Sequence, residues 1–195
     1  GRSIELPEAI FGIEPNEHVI YLAVKQYLAG RRSGTHKTLE KSELSGSTRK
    51  LHKQKGTGGS RKGSIKNPLF KGGARIFGPR PRSYDFKLNK KVKSLAKNSA
   101  LSVKAAGSSI KIVEDFSFDA PKTKEYIKFL AAFGLENKKS LLVLPELNDN
   151  VYLSSRNVQG AAIAIAENLN TYEIMNNNTI LISEKSIEAI ANSQN

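Results

Sequence analysis

Leu141-Leu142-Val143-Leu144-Pro145 is a run of four apolar residues stopped by a proline. A strand with one wet face alternates apolar and polar residues. A run without alternation therefore predicts a strand buried on both faces, the central position in a parallel sheet. Pro145 ends it, because proline has no N–H to give to a ladder. Working outward, Ile110-Lys111-Ile112-Val113, Ala161 to Ala166 and Ile180-Leu181-Ile182 carry three further short strand signals. Helical signals separate them. Asp119 and Pro121 open one helix, with a stripe of Tyr126, Phe129, Leu130 and Phe133, and Gly134 closes it. Residues 149–158 read as a short helix, Tyr172 to Met175 as a helical turn and Glu184 to Ala191 as a terminal helix. Strands alternating with helices imply right-handed crossovers. The expected fold class is α/β: a parallel sheet of about four strands with helices on both faces. No internal repeat is visible at a period of 20 to 50 residues.

Toward the N-terminus, Asn16 can cap a helix over 17–30, with Glu17 favourable in its first turn. Ile20, Ala23, Val24, Tyr27 and Leu28 form its apolar stripe. It runs out into Gly30-Arg31-Arg32. A second helix is predicted over 88–106, burying Leu88, Val92, Leu95, Ala96, Ser99 and Val103. Lys90, Lys93, Lys97 and Lys104 follow another of its faces, which is either simply solvated or in contact with phosphate.

Between these first two helices the composition changes. Gly34 to Lys87 holds 14 of the chain's 31 Lys/Arg and 3 of its 18 Asp/Glu, a net of +11 out of +13. It also holds 9 of the 15 glycines and few aliphatic residues. Such a segment cannot bury enough apolar surface to offset its ordering entropy, so on its own it is expected to be disordered or extended. The domain reading is therefore a globular α/β domain of residues 1–33 and 88–195, with 34–87 as a basic, glycine-rich extended loop. Concentrated cations with Phe70, Phe77, Tyr84 and Phe86 interleaved suit a segment that orders on RNA. A solvated linker would explain the glycine but not the charge. The candidate RNA-contacting residues before the glycine-rich stretch are Arg31, Arg32, Lys37, Arg49, Lys50, His52, Lys53, Gln54 and Lys55. Those after it are Arg61, Lys62, Lys66, Lys71, Arg75, Arg80 and Arg82, joined by Lys90, Lys93 and Lys97 on the following helix.

Other chemistry fails on spacing. A dinucleotide fingerprint begun at Gly56 would need glycine at Arg61, and a phosphate loop from Gly58 to Gly63 has Ser64 where lysine is required. His18, His36 and His52 are far apart and the chain has no cysteine, so no metal, thiolate site or disulfide is expected, and a reducing compartment fits. There is no Gly-x-Ser-x-Gly elbow. No apolar run approaches the ~20 residues of a membrane helix, and Gly1-Arg2-Ser3-Ile4-Glu5 lacks the apolar stretch of a signal peptide. The expectation is a cytoplasmic protein that is not an enzyme and needs no cofactor. The competing class is a nucleotide-dependent α/β enzyme with a disordered basic segment.

The tract Lys50-Leu51-His52-Lys53-Gln54-Lys55-Gly56-Thr57-Gly58-Gly59-Ser60-Arg61-Lys62-Gly63-Ser64-Ile65 resembles the signature loop of the bacterial large-subunit ribosomal protein L-four family. Phe70-Lys71-Gly72-Gly73 and Phe77-Gly78-Pro79-Arg80-Pro81-Arg82 are similar to it too. So are Phe11-Gly12-Ile13, Asn16-Glu17-His18, Arg32-Ser33-Gly34-Thr35, Ala120-Pro121-Lys122-Thr123-Lys124 and Asn150-Val151-Tyr152-Leu153-Ser154-Ser155-Arg156-Asn157. The likeness spans essentially the whole chain. It departs from the family pattern at Leu51 (usually proline), His52 (usually aromatic) and Gly59 (usually basic). The resemblance implies an α/β domain on the outside of the large subunit, bound to its ribosomal RNA. It also implies a loop threaded inward whose tip, Lys55, Gly56, Thr57, Gly58, Gly59, Ser60 and Arg61, lines the peptide exit tunnel. Partners implied are large-subunit RNA, neighbouring large-subunit proteins including the one across the tunnel constriction, and the nascent chain in transit. Some members of the family repress their own operon by binding its messenger. A further strand ahead of Gly1 is implied as well.

Overall fold

A computed structural model describes residues 4–192; residues 1–3 and 193–195, with the sequence expectations that fall on them, lie outside it. The chain forms two compact units, residues 1–29 with 86–195 and residues 30–85.

The first unit is the α/β domain. Its elements run α1 (Glu8–Phe11), α2 (Glu17–Gly30), α3 (Lys90–Ala106), β1 (Ile110–Val113), α4 (Thr123–Ala132), β2 (Ser140–Leu144), α5 (Asp149–Ser155), β3 (Ala161–Ile165), α6 (Thr171–Asn176), β4 (Thr179–Ser183) and α7 (Glu184–Asn192). The four strands are all parallel, in the order β1-β4-β2-β3. The α/β expectation holds in strand number, strand direction and the placing of β2 in the interior.

Right-handed crossovers explain where the helices go. The chain moves the same way across the sheet from β1 to β2 and from β2 to β3, so α4 and α5 share one face. It then steps back over two positions to β4, which puts α6 on the other face. Side chains along the two inner strands sort accordingly, since the strand period is two. Leu141, Val143, Ile180 and Ile182 join Leu101, Ile174, Ile187 and Ile190 in one core. Leu142, Leu144 and Leu181 join Tyr126, Leu130 and Val151 in a second. Every residue of β2 is buried, as the uninterrupted apolar run requires.

Local chemistry sets the boundaries. The Asn16 side-chain oxygen accepts from the Val19 N–H at 3.1 Å, capping α2. Asn148 caps α5 and Asn170 caps α6 in the same way. Buried serines on α3 serve the connection between α1 and α2: the Asn16 N–H donates to Ser99 Oγ and the Ile13 N–H to Ser102 Oγ, whose own hydroxyl donates to the Ile10 carbonyl. Polar residues on a buried face are tolerated here because they satisfy main chain that no helix or strand serves. The two downstream motif segments also meet. The Lys122 N–H donates to Ser154 Oγ at 2.9 Å, and Asn150 Nδ2 donates to the Phe118 carbonyl at 2.8 Å. Their part in this fold is to tie the start of α4 to α5.

Several expectations need correction. The one-turn helix α1 was not foreseen, so the basic segment follows the second helix rather than the first. Leu28 and Leu95, placed on buried stripes, are exposed. The helix expected over 88–106 starts at Lys90, and α4 starts at Thr123 with Asp119 outside it. The helix expected over 149–158 stops at Ser155, and β3 stops at Ile165. Lys104 does not belong to a solvated lysine face: its ammonium donates to the Asn177 carbonyl at 2.7 Å.

Candidate nucleic-acid interface

The unit 30–85 contains no helix or strand beyond the end of α2. Its two limbs are held by scattered main-chain bonds: Arg82 N–H to Gly34 O at 3.2 Å, Thr38 N–H to Pro79 O at 3.1 Å and Arg75 N–H to Leu39 O at 3.2 Å. Farther along, Ala74 N–H reaches Lys66 O, and Leu51 N–H reaches Gly63 O at 3.1 Å, closing the tip. Most main-chain polar groups of such a segment must therefore find partners in water or in another molecule. At Gly78 the limbs approach so closely that a Cβ would stand 1.9 Å from Thr38 Oγ1. At the tip, Gly56 and Gly58 take φ of +82° and +64°, the left-handed region where glycine carries no penalty, so this is where the chain turns back.

The expected contact residues fall into three groups. Arg31, Arg49, Lys53, Lys55, Arg61, Lys71 and Arg75 are exposed, as are His52 and the tip residues Thr57, Gly59 and Ser60. Among the described residues, Arg49, Lys53, Lys55 and Arg61 have no carboxylate partner. The second group is already engaged inside the unit. Lys37 pairs with Glu43, and Arg80 Nε lies 2.7 Å from Glu40 Oε1. The Lys37 hydrogen bond, then that of the Glu40 main chain, holds the Glu43 carboxyl below the ordinary carboxylate range. These pairs are solvent-exposed, and exposed pairs contribute little, so a phosphate can displace the carboxylates. Lys50 donates to Gln54 Oε1. Arg32 and Arg82 both stack on the Tyr84 ring, at 4.0 and 4.5 Å from its centroid, and Tyr84 Oη meets His36 Nε2 at 3.1 Å. Lys62, half-buried like Lys66, sits 5.8 Å from the Phe70 centroid.

The third group lies on α3 of the α/β unit. Lys90 and Lys93 are exposed, whereas Lys97 is half-buried and desolvation lowers its ammonium pKa. These three line an open groove between α2, α3 and residues 169–172. The interleaved rings also divide. Tyr84 and Phe70 are covered by cations of their own unit and Phe86 is half-buried, but Phe77 is 99% exposed. Its face is open for stacking, but a single exposed ring is ordinary on a protein surface.

The model of the Ribosomal protein L4/L1 family matches residues 4–193. The chain belongs to this family.

Individual relatives agree with the assignment. The chain is 58% identical over 192 residues to a protein of Phocaeicola vulgatus named large ribosomal subunit protein uL4, covering 98% of this chain and 92% of that one. It is 58% identical over 190 residues to the protein of that name from Flavobacterium johnsoniae, covering 97% and 91% respectively. The protein of that name from Porphyromonas gingivalis is 55% identical over 190 residues. Membership of a family of ribosomal structural proteins takes the place of the nucleotide-dependent enzyme reading. The Ribosomal protein L4/L1 match runs through both units, so the basic segment is as much part of the family pattern as the sheet. Sequence reasoning missed Lys91 and the stacked pair Tyr27–Tyr172, whose centroids lie 4.7 Å apart in the wall of the α2–α3 groove. No sequence signal joins two tyrosines so far apart along the chain.

Proposed function

We propose that this chain is a structural constituent of the large ribosomal subunit, without catalytic activity or cofactor, in the bacterial cytoplasm. The 34–87 segment orders on large-subunit ribosomal RNA, and the tip from Lys55 to Arg61 lines the peptide exit tunnel. There it faces the nascent polypeptide and a neighbouring large-subunit protein across the constriction. One observation carries the reading: a unit without sheet or helix of its own presents Arg49, Lys53, Lys55 and Arg61 free of carboxylate partners. Clustered free cations release the counterions condensed on a polyanion, which is the dominant source of affinity for RNA. Glycine at the turn keeps bulk away from a narrow passage. Repression of the chain's own messenger, known for some family members, would draw on the same cations.

The test is co-sedimentation with large subunits across a salt series, beside binding of a labelled nucleotide. Salt-dependent co-sedimentation without nucleotide binding is expected. Nucleotide binding with no association would overturn the reading. A photo-crosslinking residue at Thr57 then tests the tunnel position: adducts to nascent chains are expected, and adducts confined to solvent-side proteins would refute it.

A further inference from the structure

Two arginines from opposite ends of the basic segment converge on one ring. The guanidinium carbon of Arg32 lies 4.0 Å from the Tyr84 centroid and that of Arg82 lies 4.5 Å from it, so the two cations stand at most about 8.5 Å apart, the sum of these distances. The main chain fixes the meeting. Arg82 N–H donates to Gly34 O at 3.2 Å, and a Cβ on Gly34 would stand 2.1 Å from Arg82 O and 3.1 Å from Tyr84 Cε2. The limbs therefore touch backbone to backbone here, with Gly34 at a φ of +62°. The ring is held as well: it is half-buried, and its Oη lies 3.1 Å from His36 Nε2.

No counter-charge accompanies this pair. Among the described residues neither Arg32 nor Arg82 has a carboxylate within ion-pair distance, and both are exposed. Asp85, the acid next along the chain, lies toward Gly30, its Oδ1 3.7 Å from where a Cβ there would stand. Lys37 and Arg80 differ, since each faces a glutamate that phosphate must displace. A ring is another kind of partner. It attracts the cation through its π face and takes none of the guanidinium's N–H donors. Two like charges held on one ring with their donors unspent form a site for a single anion. Hydrogen bonds of about 2.8 Å from each fork reach one phosphate across a gap of this size.

We propose that Tyr84 is a positioning residue that holds Arg32 and Arg82 as a clamp on one backbone phosphate of RNA. The proposal rests on the reading of the chain as a ribosomal RNA-binding protein. It gives Tyr84 a different part from the base-stacking one its place among the cations suggests, because the ring is taken up by the chain's own arginines.

Filter binding of the full chain to large-subunit ribosomal RNA across a salt series tests the clamp. Tyr84→Leu keeps apolar bulk and should weaken binding by about 5- to 30-fold, the loss of two exposed cation–ring contacts. Tyr84→Phe keeps the ring and should bind within about twofold of wild type. Arg32→Gln with Arg82→Gln should flatten the slope of log affinity against log salt by roughly 0.7 to 0.9, the share of one phosphate. No change, or about twice that change, which would mean two separate phosphates, overturns the clamp. The deciding variant combines all three substitutions. A residue that acts only through the arginines has nothing left to hold once they are gone, so adding Tyr84→Leu to the double variant should cost less than about twofold. A loss as large as in the wild-type background would show that Tyr84 meets RNA itself or merely supports the fold, and overturns the proposal. Normal binding by Tyr84→Leu alone does the same. The wild-type chain separates the two readings. If it binds RNA with salt-dependent affinity while the variants break this pattern, the clamp alone is wrong. If it does not bind, the RNA-binding reading is wrong as well.

Discussion

Replacing Arg49, Lys53, Lys55 and Arg61 together by glutamine removes four cations that have no carboxylate partner among the described residues. All four are exposed, so their loss should leave the thermal midpoint within about 2 °C of wild type. The effect on RNA is another matter. Each phosphate contact contributes roughly 0.7 to 0.9 to the slope of log affinity against log salt, so four contacts flatten it by about 3. On a fourfold rise in salt, the affinity gap between variant and wild type should then close by roughly 60-fold. Lys37→Gln with Arg80→Gln is the control. Those cations already face Glu43 and Glu40, so removing them should cost less slope per residue. Filter binding to large-subunit RNA at several salt concentrations measures both. An unchanged slope in the quadruple variant, with an unchanged melt, would show that the tip cations do not touch phosphate.

Gly78→Ala places a Cβ 1.9 Å from Thr38 Oγ1 and 2.8 Å from Thr38 Cβ, so the limbs must part. RNA affinity should fall at least about tenfold, a loss on the scale of one strained contact, and adding Thr38→Gly should restore it; a single variant that binds normally refutes the close approach. Leu142→Ala empties a fully buried site between β2 and the α4–α5 layer and should cost ~2–5 kcal/mol in chemical denaturation. A loss under about 1 kcal/mol would contradict that packing. Asp115 is held below the usual carboxylate range by the Ser183 hydroxyl and then by Lys185. A depressed folded pKa contributes stability above the unfolded value near 3.8, and that stability is lost as pH falls through the folded value. Ser183→Ala should therefore be less stable than wild type at neutral pH, with the gap shrinking below about pH 4. A gap that stays constant down to pH 2 would rule out the Asp115 linkage.

Much of the α/β unit was legible because its signals are local. The apolar run 141–144, the short strands around it and the capping Asn16 need no knowledge of distant partners. What escaped depends on neighbours far along the chain. A single turn such as Glu8–Phe11 has too few residues to show a period, and its Ile10 and Phe11 are buried only because α3 covers them. Helical spacing identifies a face but not its edges, which is why Leu28 and Leu95 were misplaced. Lys104 looked like one more surface lysine until Asn177 came beside it. In the basic segment the charge was plain. Its internal pairing was not: Glu40 is 40 residues from Arg80, and the Arg32–Tyr84–Arg82 stack closes across the whole segment.

A cryo-electron microscopy map of large ribosomal subunits assembled with this chain tests the account most directly. It should show the α/β unit on RNA at the subunit exterior and residues 34–87 ordered within RNA, with Lys55 to Arg61 in the wall of the exit tunnel. A subunit that lacks the chain, or one that carries it with the basic segment in solvent away from RNA, would contradict the account.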